Sequence, residues 1–178
     1  IVMNTDNISW TYSMSTGFLD PLSIGATALI FLPSSRSSEA EDAISPEIWL
    51  KLIEHYRINV VASSPDIYNS ILTIEHPEKY PMPSLRQTVS AGAALYEELE
   101  EHWERVFHLP LYSALGMSEL STFISTGPTI PIKGESIGKI QPGRQVTILP
   151  LEGGFDPVPT HVVGMLAIHK SELGFMLG

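Results

Sequence analysis

Two short segments rich in small and polar residues carry the side chains best suited to binding a nucleotide. The first reads Ser-Ala-Gly-Ala-Ala-Leu at 90–95, and its small residues let a flat ring approach the backbone closely. The second, Ser-Ala-Leu-Gly-Met-Ser-Glu at 113–119, holds a hydroxyl and a carboxylate side by side. Because a hydroxyl can donate to a phosphate oxygen and a carboxylate can bind Mg²⁺, Ser118 and Glu119 together fit a magnesium–phosphate group.

Each segment taken singly also has an ordinary structural interpretation. Small-residue loops after strands are usually tight turns, because glycine commonly interrupts regular structure. A single carboxylate such as Glu119 is more often found near the start of a helix than on a metal ion. The chemical interpretation therefore depends on the elements that position the two segments.

Apolar runs alternate with amphipathic segments, which predicts right-handed crossovers and a parallel sheet. We expect an α/β fold with a flavodoxin-like parallel sheet flanked by helices, in which ligands bind beyond the carboxyl ends of the strands. Both candidate segments stand at such ends. The predicted strands are 26–32, 60–62, 85–90 and 111–114, and the predicted helices are 17–25, 46–56, 66–72 and 95–107.

The character of the sequence changes after Gly127. Short β-like runs at 137–140, 145–149 and 165–169 are separated by Gly and Pro, which predicts a small antiparallel unit. Earlier in the chain, residues 33–44 have the Ser-rich, acidic composition of a loop. We expect an α/β sheet subdomain over residues 1–130 and part of a β-rich subdomain over residues 131–178.

The composition argues against several classes of protein. The chain has no Cys, which excludes disulfide scaffolds, thiolate zinc sites and Cys nucleophiles and is compatible with the cytoplasmic location that we expect. A formal net charge of −10 argues against nucleic acid as a partner, and the glutamates of the predicted helix 95–107 are interpreted as a solvated face. No apolar run is long enough to predict a membrane span. Zinc-type His spacings, a hydrolase elbow and the Rossmann and Walker glycine loops do not occur.

Several motifs, in order along the chain, resemble those of the adenylate-forming family of acyl-CoA synthetases, luciferases and peptide-synthetase adenylation domains. The two candidate segments resemble the family patterns S-x-G-E-x-L and Y-G-x-[ST]-E, with Gly92 and Gly116 24 residues apart. Segments 136–143, 164–169 and 174–178 resemble S-x-G-x-x-x-P-G, G-E-L-x-[VI] and G-x-x-x-G-Y. Segments 20–22, 25–27 and 64–65 also match in order, so the resemblance spans nearly the whole chain.

The resemblance implies an AMP-forming carboxylate–CoA ligase that activates an organic or fatty acid with Mg-ATP and transfers the acyl-adenylate to CoA. ATP, Mg²⁺ and CoA are then the expected cofactor and co-substrates, and a small carboxylic acid is the substrate. Adenine would stack on residues 92–94, Ser118 would contact the α-phosphate, and Glu119 would hold Mg²⁺. The implied nucleotide-binding residues are Gly92, Ala93, Ala94, Leu115, Gly116, Met117, Ser118 and Glu119, and the implied substrate residues are Ala91, Gly116, Ser121, Thr122 and Phe123.

Three positions depart from the family patterns. Ala93 stands where the family usually has Glu, Leu115 where it has Tyr, and Met165 where it has Glu. The missing aromatic ring should weaken stacking with the base, although Leu can still cover a ring face.

Two parts of the family's catalytic machinery have no match in this sequence. These are the Ser/Thr/Gly-rich phosphate loop ending in Lys and the catalytic Lys of a C-terminal domain. We therefore expect a central fragment of the large N-terminal domain that does not adenylate an acid alone, with the missing N- and C-terminal parts of the same protein as its partners. A non-catalytic α/β ligand-binding or scaffold module is the alternative, since such a module needs neither element.

Overall fold

The computed structural model describes residues 1–32, 44–130, 132–134 and 136–172. Its helices are α1 (Thr11–Met14), α2 (Asp20–Ser23), α3 (Pro46–Tyr56), α4 (Pro65–Leu72) and α5 (Glu97–Phe107), with a π-helical turn at Ser15–Leu19 and 3₁₀ turns at Pro77–Lys79 and Lys170–Glu172. Its strands are β1 (Val2–Asn4), β2 (Ala28–Leu29), β3 (Val60–Ser63), β4 (Gln87–Ser90), β5 (Leu111–Met117), β6 (Ser121–Ser125), β7 (Lys139–Ile140), β8 (Val146–Leu149) and β9 (Met165–Ile168).

A seven-stranded sheet forms the centre of the molecule, with the order β2-β1-β3-β4-β5-β6-β7. The first five strands in this order are parallel, and their order is that of a flavodoxin-like sheet. Strands β6 and β7 add to β5 in antiparallel fashion, while β8 and β9 pair in a separate antiparallel sheet. The expected flavodoxin-like parallel sheet with a small antiparallel sheet after it is confirmed.

The core lies between the parallel strands and the helices α3, α4 and α5. Helix α3 begins at Pro46, which suits a first helical position, and ends before Arg57, whose φ of 53° is left-handed. The core also contains the fully buried side chains of Tyr68 from α4 and Trp103 from α5. The rings of Tyr68 and Trp103 meet edge to face, with their centroids 4.8 Å apart. Since such pairs add to the burial of large apolar area, they fix these helices against the sheet and hold the strand ends in place.

The glutamates of α5 form an exposed face, as predicted, but Glu100 is half-buried. Desolvation first, and the neighbouring Glu97 second, raise the pKa of Glu100 to about 7. The folded state therefore holds this proton more tightly than the unfolded state, and the free energy of unfolding falls as the pH rises from about 4.5 to 7. We expect Glu100→Gln to stabilise the chain at pH 8 by about 1 kcal/mol, since solvent still screens this half-buried group, and to have no such effect at pH 4.

Urea unfolding at the two pH values measures this difference, with Glu101→Gln as the matched control on the exposed face of α5. Equal stabilisation by both variants at pH 8 would contradict the assignment of the effect to Glu100.

Several predicted elements differ from the structure. The helical segment begins at Thr11 rather than at residue 17. Its Ser, Thr and Gly residues are weak helix formers, so tertiary packing overrides helix propensity here. At Gly17 an added Cβ would lie 2.7 Å from Cβ of Asn4, so glycine permits close packing of this segment on β1. The predicted strand 26–32 is reduced to Ala28–Leu29.

The strand predicted to end at Ala114 instead continues to Met117 and turns back into β6, which was not predicted. The segment at 137–140 was assigned to the small antiparallel unit, but β7 pairs with β6 in the large sheet. The proposed boundary near residue 130 remains a prediction. The predicted loop 33–44, except Ile44, and the motif at 174–178 lie outside the described residues. None of the described helices has the length and apolar character needed to cross a membrane.

Candidate nucleotide-binding site

The ends of β4 and β5 and the start of α1 enclose a cleft of about 240 Å³. Three stretches of chain line it: the beginning of the helical segment, the turn after β4, and the hairpin between β5 and β6. The cleft thus unites the two segments that the sequence singled out. Its lining residues are Trp10, Thr11, Tyr12, Ser15, Ala91, Gly92, Gly116, Met117, Ser118, Ser121 and Thr122.

Gly92 provides a flat backbone surface, and an aromatic ring already lies against it. Its φ of 92° is left-handed, and an added Cβ would lie 2.2 Å from Cη2 of the Trp10 indole. A small residue is expected here to let a flat ring approach, and a flat ring does lie against Gly92. That ring is the indole of Trp10, not a ligand. Trp10 and Gly92 together form one wall of the cleft.

Gly116 allows β6 to fold back closely on β5. The register between these strands shifts between Leu115 and Gly116, and Ser121 adopts a φ of 63° at the start of β6. A Cβ on Gly116 would lie 2.9 Å from the carbonyl oxygen of Ser121, so the hairpin requires a residue without a side chain here. Gly116 therefore shapes the hairpin that carries Ser118.

Ser118 lies in the turn of this hairpin and is tied to the helical segment. Its hydroxyl lies 3.0 Å from that of Thr11, in a hydrogen bond in which either group can donate. Ser118 is exposed, so its remaining hydrogen-bonding capacity faces the open cleft. The arrangement suits a hydroxyl that contacts a phosphate oxygen.

The other predicted nucleotide-binding residues lie around the cleft rather than in its wall. Ala93 and Ala94 line an adjoining depression that also includes Tyr96 and His102. Leu115 packs against a small buried cluster on the hairpin. The structure therefore separates Gly92, which lines the cleft, from the two alanines that follow it.

Phe123 and Glu119 also lie outside the cleft lining. The Phe123 side chain is 2% exposed and forms the buried cluster with Leu120 and Ile124. Glu119 is half-buried in the turn that also holds Ser118. Within the described ranges, no three His, Asp or Glu side chains come together as a complete metal site. A single carboxylate nevertheless fits Mg²⁺, which commonly keeps several waters and binds through one or two carboxylates and substrate phosphates.

Burial affects two ionisable groups near the cleft. Desolvation raises the pKa of the Tyr12 phenol, and the nearby Asp6 raises it further, so this hydroxyl stays protonated and donates to the Val89 carbonyl at 3.4 Å. Desolvation also raises the pKa of Asp6, although a hydrogen bond from Ser64 opposes the shift. Tyr12 can thus act as a neutral hydrogen-bonding wall of the cleft.

Sequence reasoning missed the wall contributed by Trp10, Thr11, Tyr12 and Ser15. Their signal was position, because they follow β1, and residues just beyond the carboxyl ends of parallel strands meet at one edge of the sheet. The strand Val2–Asn4 has only three residues, which is too short to leave a clear pattern in the sequence, so nothing marks residues 10–15 as following a strand.

The family model described as AMP-binding enzyme matches residues 1–178. An uncharacterised acyl–CoA ligase, YtcI, of Bacillus subtilis is 28% identical over 171 residues, which cover 96% of this chain and 30% of that protein. The acetyl-coenzyme A synthetase of the same organism is 30% identical over 169 residues, covering 93% of this chain and 28% of the synthetase.

Solved structures of CoA ligases share the fold. The anthranilate CoA ligase AuaEII in complex with anthranoyl-AMP superposes with a TM-score of 0.83 at 21% identity, covering 97% of this chain and 31% of that one. A benzoate CoA ligase from Burkholderia xenovorans LB400 gives a TM-score of 0.75 at 27% identity, with 93% and 32% covered.

The mainly parallel sheet, the cleft at its strand ends and these matches define an adenylate-forming enzyme fold. The chain belongs to the AMP-binding enzyme family. It spans about a third of the length of the relatives that it matches.

Proposed function

We propose that the chain is the central part of an AMP-forming carboxylate–CoA ligase. The observation that carries the proposal is the single cleft onto which the turn at Gly92 and the hairpin at Gly116 and Ser118 both open. Membership of the AMP-binding enzyme family supports it, as do relatives named acyl-CoA ligases and synthetases. We also propose a cytoplasmic location and a subdomain boundary near residue 130.

The proposed roles follow the positions of the side chains. The adenine of ATP lies along the backbone of residues 92–94, at the border between the cleft, which Trp10 and Gly92 line, and the depression lined by Ala93 and Ala94. The hydroxyl of Ser118, oriented by Thr11, donates to an oxygen of the α-phosphate. Gly116 and Met117 form the strand edge beneath this phosphate. Glu119 would hold Mg²⁺, which neutralises phosphate charge when bound.

The acid would bind next to the phosphate, in the part of the cleft formed by Ala91, Ser121 and Thr122. Ala91 is buried and offers little side-chain volume, so the carboxyl end can lie close to the backbone. Phe123 would act from the core, by fixing β6, because its side chain is enclosed.

In the whole protein, a carboxylate oxygen attacks the α-phosphorus of ATP and pyrophosphate leaves with its electron pair. The resulting acyl-adenylate has AMP as a good leaving group, and the thiol of CoA displaces it to form the thioester. Holding two anions in line for the first step is a large part of the catalytic task. Segments outside this chain supply the charge that stabilises the transition state, which is a major term in such reactions.

A comparison of the isolated chain with the whole protein tests this proposal. With ATP, a panel of carboxylic acids and CoA, we expect the whole protein to release pyrophosphate and form a CoA thioester in an acid-dependent manner. The 178-residue chain should show only background pyrophosphate release. Circular dichroism of the same sample verifies that the chain is folded, so that this result does not reflect unfolding.

Turnover by the isolated chain would refute the proposal that essential groups lie elsewhere. If the whole protein formed no thioester with any acid, the non-catalytic α/β binding or scaffold module would be the better interpretation.

A further inference from the structure

A second space leads away from the cleft along one face of the sheet. This channel has a volume of about 500 Å³ and shares Tyr12, Ser121 and Thr122 with the cleft, so the two spaces lie next to each other. One wall is the helical segment from Thr11 to Ser23, and the other is formed by strands β4, β5 and β6. The far end of the channel contains Asp20, Gln87, Tyr112 and Arg144.

The spacing of the lining residues shows the direction of the channel. Tyr12, Thr16 and Asp20 are four residues apart on one helical face, and Tyr12 and Asp20 are separated by about 12 Å along the helix axis. On β5, Tyr112 lies about 13 Å before Gly116 at the usual rise of a strand. The helical wall and the strand wall therefore give similar distances between the phosphate end and the far end of the channel.

The far end is polar, and several of its groups are unused. Asp20 is exposed, Gln87 and Tyr112 are half-buried, and none of these side chains is hydrogen-bonded to another described residue. Desolvation raises the pKa of Asp20, although the residue as a whole is exposed. Among the described lining residues, the apolar side chains are Val89, Ala114 and Pro128. A plain hydrocarbon tail would cover these polar groups without satisfying them, which is unfavourable.

The charge at the far end is negative. Arg144 and Asp20 are the charged residues of the described lining. The guanidinium of Arg144 lies 3.4 Å from the carboxylate of Glu172, which compensates its charge. Asp20 has no such partner within the described residues, so the channel presents an uncompensated hydrogen-bond acceptor to whatever enters it.

We propose that the channel takes the tail of an acid whose far end carries a hydrogen-bond donor, either a hydroxyl or an ammonium group, and that Asp20 binds this donor with help from Gln87 and Tyr112. The inference rests on the proposed function, because it names the substrate class of the same site. The carboxyl end of the acid lies at the cleft, and the donor lies at the level of Tyr112.

Competing acids in the CoA-ligation assay of the whole protein test the proposal. Unsubstituted, ω-hydroxy and ω-amino acids of four and eight carbon atoms are compared by kcat/KM. We expect an eight-carbon acid with a terminal donor to exceed octanoic acid by about tenfold to a hundredfold, as hydrogen bonds to a charged group commonly contribute. The ratio of hydroxy to amino acid identifies which donor is preferred.

Two variants assign the preference to Asp20. Asp20→Asn should reduce it by about tenfold, most strongly for the amino acid, and Asp20→Lys should shift it toward octanedioic acid, whose far end is a carboxylate. Asp156→Asn, in the exposed loop between β8 and β9, is the matched control and should leave all ratios unchanged.

Equal or better use of the unsubstituted acids, or ratios that do not change in either Asp20 variant, would overturn the inference and leave the ligase proposal intact. The absence of any CoA thioester with all of the acids would instead remove the proposed function, and this inference with it.

Discussion

Replacing Gly92 with alanine should lower the kcat/KM of the whole protein for CoA-thioester formation by about a hundredfold. The new Cβ would lie 2.2 Å from Cη2 of Trp10, so the indole must move by more than about 1 Å to reach ordinary contact distance. Displacements of this size in a binding site can reduce rates by about a hundredfold. Because Trp10 and Gly92 form one wall of the cleft, the displaced ring enters the space where the nucleotide is proposed to lie.

Gly153→Ala is the matched control for this experiment. Gly153 has a φ of 94°, close to the 92° of Gly92, but an added Cβ meets nothing within 4 Å. Both variants therefore carry the same backbone strain, about 1–2 kcal/mol for a left-handed alanine, and only one carries the collision. Adding Trp10→Ala to Gly92→Ala should restore part of the activity. Equal activity of the two glycine variants would show that the contact with Trp10 does not shape the site.

Replacing Gly138 with alanine should destabilise the folded chain by about 3–4 kcal/mol. Its φ is 111°, and a Cβ would lie 2.0 Å from the carbonyl oxygen of Ser125. Overpacking against backbone commonly costs about 1–3 kcal/mol, and left-handed strain in a residue with a side chain adds about 1–3 kcal/mol. The backbone of β6 cannot move away without losing its pairing with β7, where Ser125 opposes Lys139.

Equilibrium urea denaturation of the chain measures the Gly138 effect. Gly143→Ala is the control within the same sequence motif, since Gly143 has a φ of 85° and open space around the position of a Cβ. The difference between the two variants isolates the contact with β6. Unfolding midpoints that coincide would mean that the segment 136–143 is not packed on β6 as the structure shows.

The parallel part of the sheet could be predicted because burial on both faces leaves a strong pattern. Val60-Val61-Ala62 is a continuous apolar run, and helix α3 has an amphipathic pattern between Pro46 and Tyr56. These signals are local, so a single sequence contains them. The parallel arrangement follows from the alternation of strands and helices, whereas the strand order is seen in the structure.

The hairpin that carries Ser118 could not be predicted in the same way. Its turn, Ser118-Glu119-Leu120, has no Gly, Pro, Asn or Asp, and its one typical turn residue, Ser118, is a weak signal. The left-handed conformation falls on Ser121, and the tight approach of the two strands depends on Gly116, which the motif had assigned to substrate approach. Tertiary packing, rather than local propensity, determines this element.

The contribution of Trp10 to the site was also hidden from the sequence. The polar segment 4–13 has two aromatic residues, Trp10 and Tyr12, and nothing in it indicates that Trp10 will lie on a glycine more than eighty residues later. Only the pairing of β1 with β3, and of β3 with β4, brings the two positions together.

A crystal structure of the whole protein with a non-hydrolysable acyl-sulfamoyl adenosine tests the central claim most directly, because this compound mimics the acyl-adenylate. We predict that its adenine lies along residues 92–94 beside Trp10 and that its sulfamate lies within hydrogen-bonding distance of the Ser118 hydroxyl. Binding in the separate depression lined by residues 4–8 at the end of β1, with no contact to Gly92 or Ser118, would contradict the account.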